Sequence, residues 1–513
     1  MRVLTSSQMK QAELYAQSNG ISTMRLMQNA GDSAFVKICE LSESKINNSS
    51  CVVLCGSGNN GGDGFVIASR LLEKTQNVTV VLMDSLPKTE CAQIMYERCR
   101  NSGCDIFDFD FDSAKAINKI SSAQIIVDAI FGTGFHGELP SNIKDAAIAV
   151  NKSKALTFSI DLPSGANADT GEISKHIFTP DYTISLGSMK LGHILSPCKD
   201  IAGKVCTVGI GIPDEAYKTL GQIIETIEPK EVAALIPKRN PTSHKGSFGK
   251  LLNIAGSKNM SGAAALSTLA ALRSGVGICT LASTESVINR VGANIYEPTF
   301  ICLNENKSGQ ISSDDFTQVL DKLDEFDAIT IGMGLGRSED IKAVVRKILY
   351  NASCTVLIDA DGIFALSSCI DILKDTKADI ILTPHPGEMS MLTGLSVSDI
   401  QKDRINIAKS FAKEHSVTLV LKGSGTVIAT PDGKVYINQT GNAGLARGGS
   451  GDVLSGMIGA FAAQELSAKE AAVAGVFLHG YCADRVYKNS SMQGMLPSDL
   501  LKDLPAMFGV MGR

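Results

Sequence analysis

No two cysteines in this sequence are spaced C-x-x-C, and no His/Cys run has metal-ligand spacing, although 13 of the 513 residues are cysteine. That leaves no signature for a structural zinc site or a dithiol redox centre. Cys55, Cys279 and Cys354 sit in apolar runs, where a thiol behaves as a small core hydrophobe. The pattern fits a reducing compartment. No stretch reaches the roughly 20 apolar residues that a membrane span needs. Residues 1–20 are polar and lack the apolar core of a signal peptide, so a cytoplasmic protein is expected. Basic excess is missing too: 48 Lys and Arg face 53 Asp and Glu, for a net charge of −5. Nothing electrostatic therefore favours nucleic acid or an anionic membrane, and small molecules are the expected partners. A polyanionic ligand would have to be held by local dipoles and a few basic side chains.

Proline is scarce at 15 residues while glycine reaches 48, and 44% of the chain is apolar. The length exceeds one ordinary core and suggests two to four domains. The first half alternates apolar, β-rich runs (51–55, 78–83, 124–128, 156–161, 182–186) with helical patterns at 65–74 and 90–101. Runs without polar alternation, each followed by a helix, indicate a parallel sheet covered on both faces. After Pro213 the periodicity fades. A second α/β series then begins, with strands expected at 251–255, 278–282, 328–332, 355–359, 379–383 and 417–422, and helices at 452–463 and 468–488. No internal repeat aligns, so two different folds are expected. The fold class is α/β: a Rossmann-like three-layer domain over residues 1–215, then a second α/β domain over 225–513.

In parallel sheets ligands gather beyond the carboxyl ends of strands, and the unusual residues cluster there. The run Gly58, Asn59, Asn60, Gly61, Gly62, Asp63, Gly64 is not a G-x-G-x-x-G fingerprint. It reads as a glycine-rich turn whose side-chain oxygens can bind a cation together with sugar and phosphate groups. The alternative is a tight strand–helix connection made of turn formers. Asp128 and Asp161 each close an apolar run and precede glycine-rich loops, around Gly132 and around Ser164 and Gly165. One can serve a cation beside Asn60 and the other can act as general acid or base; either can instead be an N-cap. His136 is a weaker candidate, since a lone loop histidine is more often solvated.

In the second half Gly448, Gly449, Ser450, Gly451 and Asp452 form a turn that carries a carboxylate into the start of a helix. Amides and the helix dipole there suit phosphate, and Asp452 can take a proton from an attacking hydroxyl. Lys422, Gly423, Ser424, Gly425 and Thr426 end a strand about 30 residues upstream and add an ammonium and small donors. Gly441 and Asn442 lead into the turn. Gly334, between Gly332 and Gly336, admits close backbone approach, and His385, Pro386, Gly387 and Glu388 present polar groups at a strand end. An ordinary loop with Glu388 capping a helix is the plainer alternative. Two phosphate-type turns nearly 400 residues apart suggest two active sites.

These residues resemble the ribokinase-like superfamily, in which the Asp of G-x-G-D activates an acceptor hydroxyl. With His244-Lys-Gly246, the second half is similar to the ADP/ATP-dependent NAD(P)H-hydrate dehydratases. Leu26-Met-Gln-Asn-Ala-Gly31, the 58–64 run, and the segments at 128–134 and 161–165 resemble the NAD(P)H-hydrate epimerases. Together the matches resemble the bifunctional NAD(P)H-hydrate repair enzymes over almost the whole chain. Ala446-Arg447 departs from the commoner Ala-Thr or Ala-Lys.

The resemblance implies an isomerase and a lyase acting on NADH or NADPH hydrated at nicotinamide C6. In the first domain Asp161 would transfer protons, and Asn60, Asp128 and Ser164 would hold potassium. Asn59, Asn60, Gly61, Gly62 and Asp63 would bind the hydrate with Gly132, Thr133, Gly134, Phe135, His136, Gly137 and Glu138. In the second, Asp452 would be the base acting on the S epimer. Ala263, Gly334, His385, Pro386, Gly387, Glu388, Met389, Ser390 and Met391 would bind the hydrate. Lys422, Gly423, Ser424, Gly425 and Thr426 would bind ADP or ATP, together with Asn442, Ala443, Gly444, Leu445, Ala446, Arg447, Gly448, Gly449, Ser450 and Gly451. Mg²⁺ would assist the transfer, ADP being favoured by resemblance alone. A homo-oligomer is expected. The competing reading is a ribokinase-like small-molecule kinase with a dinucleotide-binding or silent N-terminal domain.

Overall fold

The computed structural model describes all residues except Gln222, Asp315 and Arg513, and the side chain of Ser44. The chain divides into two compact units, Met1–Ile223 and Ile224–Arg513. Among the described residues no helix is long and apolar enough to cross a membrane.

In the first unit seven parallel strands lie in the order Asp105–Asp108, Val78–Leu82, Cys51–Cys55, Ile125–Ala129, Leu156–Ile160, Tyr182–Leu186, Lys204–Val208. The apolar runs are buried on both faces for a geometric reason, because successive side chains alternate sides. Cys51, Val53 and Cys55 join one core with the helices Thr23–Ser42 and Asn59–Leu71. Val52 and Leu54 join the other, with Ser113–Ser122 and Ser141–Lys152. The strand order reverses between Cys51–Cys55 and Ile125–Ala129, and such a switch point opens a crevice at the carboxyl ends. Separately, the short strand Arg2–Leu4 pairs in parallel with Met189–Lys190, aligning Leu4 with Lys190.

The 58–64 run is largely helix rather than turn: Asn59 already begins the helix Asn59–Leu71. Its glycines serve close packing. A Cβ at Gly61 would lie 1.9 Å from the Gly56 carbonyl oxygen, and one at Gly64 would meet Ala129 Cβ at 2.7 Å and Cys55 Sγ at 2.8 Å.

The second unit has seven parallel strands, Thr299–Leu303, Ile278–Thr284, Lys250–Ile254, Ala328–Ile331, Thr355–Ile358, Ile380–Leu382 and Thr418–Leu421 in spatial order. Antiparallel Val427–Ala429 and Val435–Ile437 follow, and Ile224–Thr226 runs parallel to the latter. The helix Ser450–Ala463 is buried over most of its length and packs with Ala468–Lys488 on one face of this sheet. Gly475 allows that approach, since its Cβ would meet Ile458 Cγ1 at 2.4 Å, and Gly456 allows the approach of the helix Ser261–Arg273, since its Cβ would meet the Ser267 carbonyl oxygen at 2.1 Å. The stretch after Pro213, weakly patterned in sequence, holds the helices Asp214–Thr219 and Pro229–Leu235.

Candidate active sites

At the switch point of the first unit a cavity of about 490 Å³ is lined by Asn59, Asn60, Asp63, Gly132, Thr133, Gly134, Phe135 and Asp161. Met27, from the 26–31 segment, lines it too, as do Glu13 and Lys190, which carried no sequence signal. Gly61 and Gly62 are buried within the helix and are not among the lining residues. His136, Gly137 and Glu138 also lie outside the lining: His136 Nδ1 pairs with Asn167 Nδ2 at 2.9 Å, and Glu138 accepts from Ser174 Oγ at 2.7 Å.

Asp161 follows the strand Leu156–Ile160 with φ +68°, a left-handed conformation that costs an L-residue with a side chain about 1 kcal/mol or more. Its surroundings hold it there. Oδ1 accepts from buried Lys190 Nζ and from Leu186 N–H at 3.2 Å. Lys190 Nζ also donates to the Leu186 carbonyl at 2.6 Å. His193 Nδ1 accepts the Lys190 N–H at 3.0 Å, so its Nε2–H donates to the Asp161 carbonyl, 2.7 Å away. Burial, with the Lys190 ammonium, pushes His193 down to about 4, which keeps that tautomer neutral. Burial, reinforced by Asp161, pushes the carboxyls of Glu13 and Asp63 up, Asp63 well above the usual range. The cavity therefore combines one ion-paired carboxylate with two carboxyls that resist ionisation.

Asp128 is buried. Oδ2 accepts from Ser159 Oγ at 2.7 Å and Ser164 N–H at 2.9 Å; Oδ1 accepts from Ser164 Oγ at 2.5 Å and Ile130 N–H at 3.3 Å. Asn60 donates to the Ile160 carbonyl at 3.3 Å. The three side chains expected to hold potassium offer oxygen donors and one negative charge, which fits a hard cation of low charge.

In the second unit the converging side chains come from two strand ends and two helices. Asp452 is the third residue of Ser450–Ala463, whose N-cap Gly449 has φ +97°. Lys422, after Thr418–Leu421, pairs with buried Asp359 at 2.7 Å and lies 3.8 Å from Glu388. Ser455 Oγ donates to the other Asp359 oxygen at 2.7 Å. A Cβ at Gly451 would lie 3.5 Å from Lys422 Nζ and 3.6 Å from Asp359 Oδ2, so Gly451 sits beside this ion pair. Burial pushes the Asp452 carboxyl up to about 7, with Asp359 and Asp361 adding to the rise and Lys422 opposing it. Burial would lower the Lys422 ammonium, yet Asp359 and Glu388 hold it above its ordinary value. Asp359 was visible in the sequence only as the end of an apolar run.

Ala263 and Gly334 are neighbours: a Cβ at Gly334 would lie 2.8 Å from Ala263 Cβ. His385 caps the helix Pro386–Thr393 through Nδ1, accepting the N–H groups of Gly387 and Glu388 at 3.0 and 3.2 Å. Glu388 completes the capping box by accepting the His385 N–H at 2.8 Å. Met389 is fully buried, Ser390 Oγ donates to the Leu395 carbonyl at 2.6 Å, and Met391 is exposed. Thr426 Oγ closes its loop onto the Gly423 carbonyl at 3.0 Å, with Ser424 and Gly425 inside that turn. Asn442 bonds Asp484 at 2.9 Å and caps the short turn Ala443–Leu445, and Arg447 donates to the Gln493 carbonyl at 2.7 Å. Among the described residues no group of three or more His, Cys, Asp or Glu is arranged to hold a metal ion.

Residues 251–506 match the family described as NAD(P)H-hydrate dehydratase, and residues 23–192 match the YjeF-related protein N-terminus. The chain is 34% identical over 509 residues to the bifunctional NAD(P)H-hydrate repair enzyme Nnr of Moorella thermoacetica, covering 98% of this chain and 96% of that one. With the enzyme of the same name from Escherichia coli it shares 33% identity over 487 residues, covering 94% and 89%. A solved ADP/ATP-dependent NAD(P)H-hydrate dehydratase from Bacillus subtilis, co-crystallised with ATP/Mg²⁺, is 36% identical. It covers 56% of this chain and 98% of its own, at a TM-score of 0.49.

Proposed function

The chain belongs to the bifunctional NAD(P)H-hydrate repair enzymes, and from that premise we propose how its two halves divide the work. The protein is a metabolite-repair enzyme with epimerase and dehydratase activities on one polypeptide. We assign epimerisation of the R and S hydrates to residues 1–215 and ADP-dependent dehydration of the S hydrate to residues 225–513.

The observation that carries the second assignment is Asp452, raised to about 7, at a glycine-rich helix N-terminus beside the Lys422–Asp359 pair. A carboxylate of that basicity suits proton abstraction near neutral pH. Asp452 takes the C6 hydroxyl proton, and the oxygen attacks the terminal phosphorus of ADP, releasing AMP. The glycine amides around Gly451 face charge on the transferring group, and Lys422 adds a fixed positive charge. Loss of phosphate from C6 and of a proton from C5 then restores the dihydronicotinamide. Ala263 and Gly334, packed against each other, are assigned to the hydrate side of the site. Magnesium supplies charge neutralisation of the phosphates when bound.

In the first unit Asp161 serves as the proton-transfer group for inversion at C6, while Asn60, Asp128 and Ser164 would hold potassium, which would supply positive charge beside the dinucleotide. Epimerisation is accordingly faster in K⁺ than in Na⁺ at equal ionic strength. The protein works in the cytoplasm as a homo-oligomer.

Product analysis tests the central assignment. Hydrated NADH with ADP yields NADH, AMP and phosphate in equal amounts. A stable phosphorylated product with no recovered NADH would instead mark a small-molecule kinase.

A further inference from the structure

We propose that Lys190 and His193 are positioning residues for the epimerase, locking Asp161 so that a single carboxylate oxygen faces the substrate. The inference rests on the assignment of Asp161 as the proton-transfer group, and it names what makes that group competent.

Asp161 Oδ1 is consumed by Lys190 Nζ and Leu186 N–H. Oδ2 accepts no hydrogen bond among the described residues, and it points toward Gly132, where a Cβ would lie 3.2 Å away. Gly132 lines the cavity. The two oxygens of one carboxylate are thus made unequal: one is a structural acceptor and the other is presented to the substrate. Fixing Oδ1 fixes the plane of the carboxylate and which oxygen can receive a proton, the kind of orientation that an intramolecular-like proton transfer needs.

Lys190 is 1% exposed, so its ammonium serves no solvent-facing role. It is held by Asp161, the Leu186 carbonyl and, at 3.5 Å, Ser185 Oγ. Removing it would leave Asp161 facing Glu13 and Asp63 in the same cavity without its ammonium partner. His193 acts on the backbone instead. It ties the Lys190 N–H to the Asp161 carbonyl through opposite ring nitrogens, which holds the residue at its left-handed φ. Both residues sit in one short segment, whose strand Met189–Lys190 is aligned by pairing with Arg2–Leu4. No single sequence motif joins Lys190 to Asp161, since they lie 29 residues apart.

The test compares kcat and KM of epimerisation for Lys190→Met, Lys190→Arg, His193→Asn and Asp161→Asn in the full-length protein, with thermal unfolding recorded for each. The expected result for Lys190→Met is a fall in kcat of about 100-fold with KM changed by less than about twofold. Lys190→Arg recovers part of that loss, and His193→Asn shows a smaller fall of the same kind. Should Lys190→Met fail to fold, Lys190→Gln, which keeps a donor on a similar stem, decides in its place. A wild-type kcat in the deciding variant, or a loss confined to KM, overturns the proposal. The two readings separate cleanly. Full epimerisation by Asp161→Asn would sink the assignment of Asp161 itself, whereas an inactive Asp161→Asn beside a fully active Lys190 variant would sink only the positioning role.

Discussion

Replacing Asp452 by asparagine should stabilise the second unit while abolishing dehydration. The Asp452 carboxyl rises from an ordinary 3.8 to about 7 through burial and the neighbouring Asp359 and Asp361. That rise corresponds to about 4 kcal/mol of disfavoured charge. The sign follows from linkage: between these values the folded state holds a proton that the unfolded state has released, so stability falls as pH increases. The loss begins near pH 4 and is complete above about 7. Asparagine cannot ionise and removes it. The gain should therefore be larger at pH 8 than at pH 5 by about 2–3 kcal/mol, which in a unit of this size shifts Tm by several degrees. Thermal unfolding of wild type and Asp452→Asn at both pH values, without nucleotide, measures it. Equal stability of the two proteins at pH 8, or a gain that does not grow with pH, would refute the reasoning.

The same group predicts that kcat/KM for dehydration climbs with pH and levels off above about 7; a profile flat from pH 5.5 to 8 would contradict it. Gly61→Ala forces a Cβ to 1.9 Å from the Gly56 carbonyl oxygen. It should destabilise the first unit by about 3 kcal/mol or more, read as a lowered unfolding midpoint in urea. Gly332 has φ +129° and would place a Cβ 1.9 Å from the Asp359 carbonyl oxygen. Gly332→Ala should therefore displace Asp359 and cut dehydration at least tenfold, measured as ADP-dependent NADH recovery.

Legibility in the sequence followed the physics that produced each feature. Strands such as Cys51–Cys55 and Tyr182–Leu186 were readable to the residue because burial on both faces demands unbroken apolar runs. The 58–64 run reads as a turn because Gly, Asn and Asp are poor helix formers. Close approach to Gly56, Ala129 and Cys55 overrides that propensity and makes it helix. His385 and Glu388 had two readings, and the capping box is present alongside the 3.8 Å approach of Glu388 to Lys422. Lys190, His193 and Glu13 were invisible, since only the tertiary fold brings them to Asp161. Asp359 left a fainter trace: like Asp128 and Asp161, it is a carboxylate at the end of an apolar run.

Two sites with separable roles on one chain are tested most directly by following NADH recovery from a mixture of R and S hydrates with ADP, Mg²⁺ and K⁺. Wild-type protein should return the full dihydronicotinamide absorbance, and Asp452→Ala should return none. Asp161→Asn should return the S share at the normal rate and then stall on the R share. Full recovery at the wild-type rate by Asp161→Asn, or any ADP-dependent recovery by Asp452→Ala, would contradict the account.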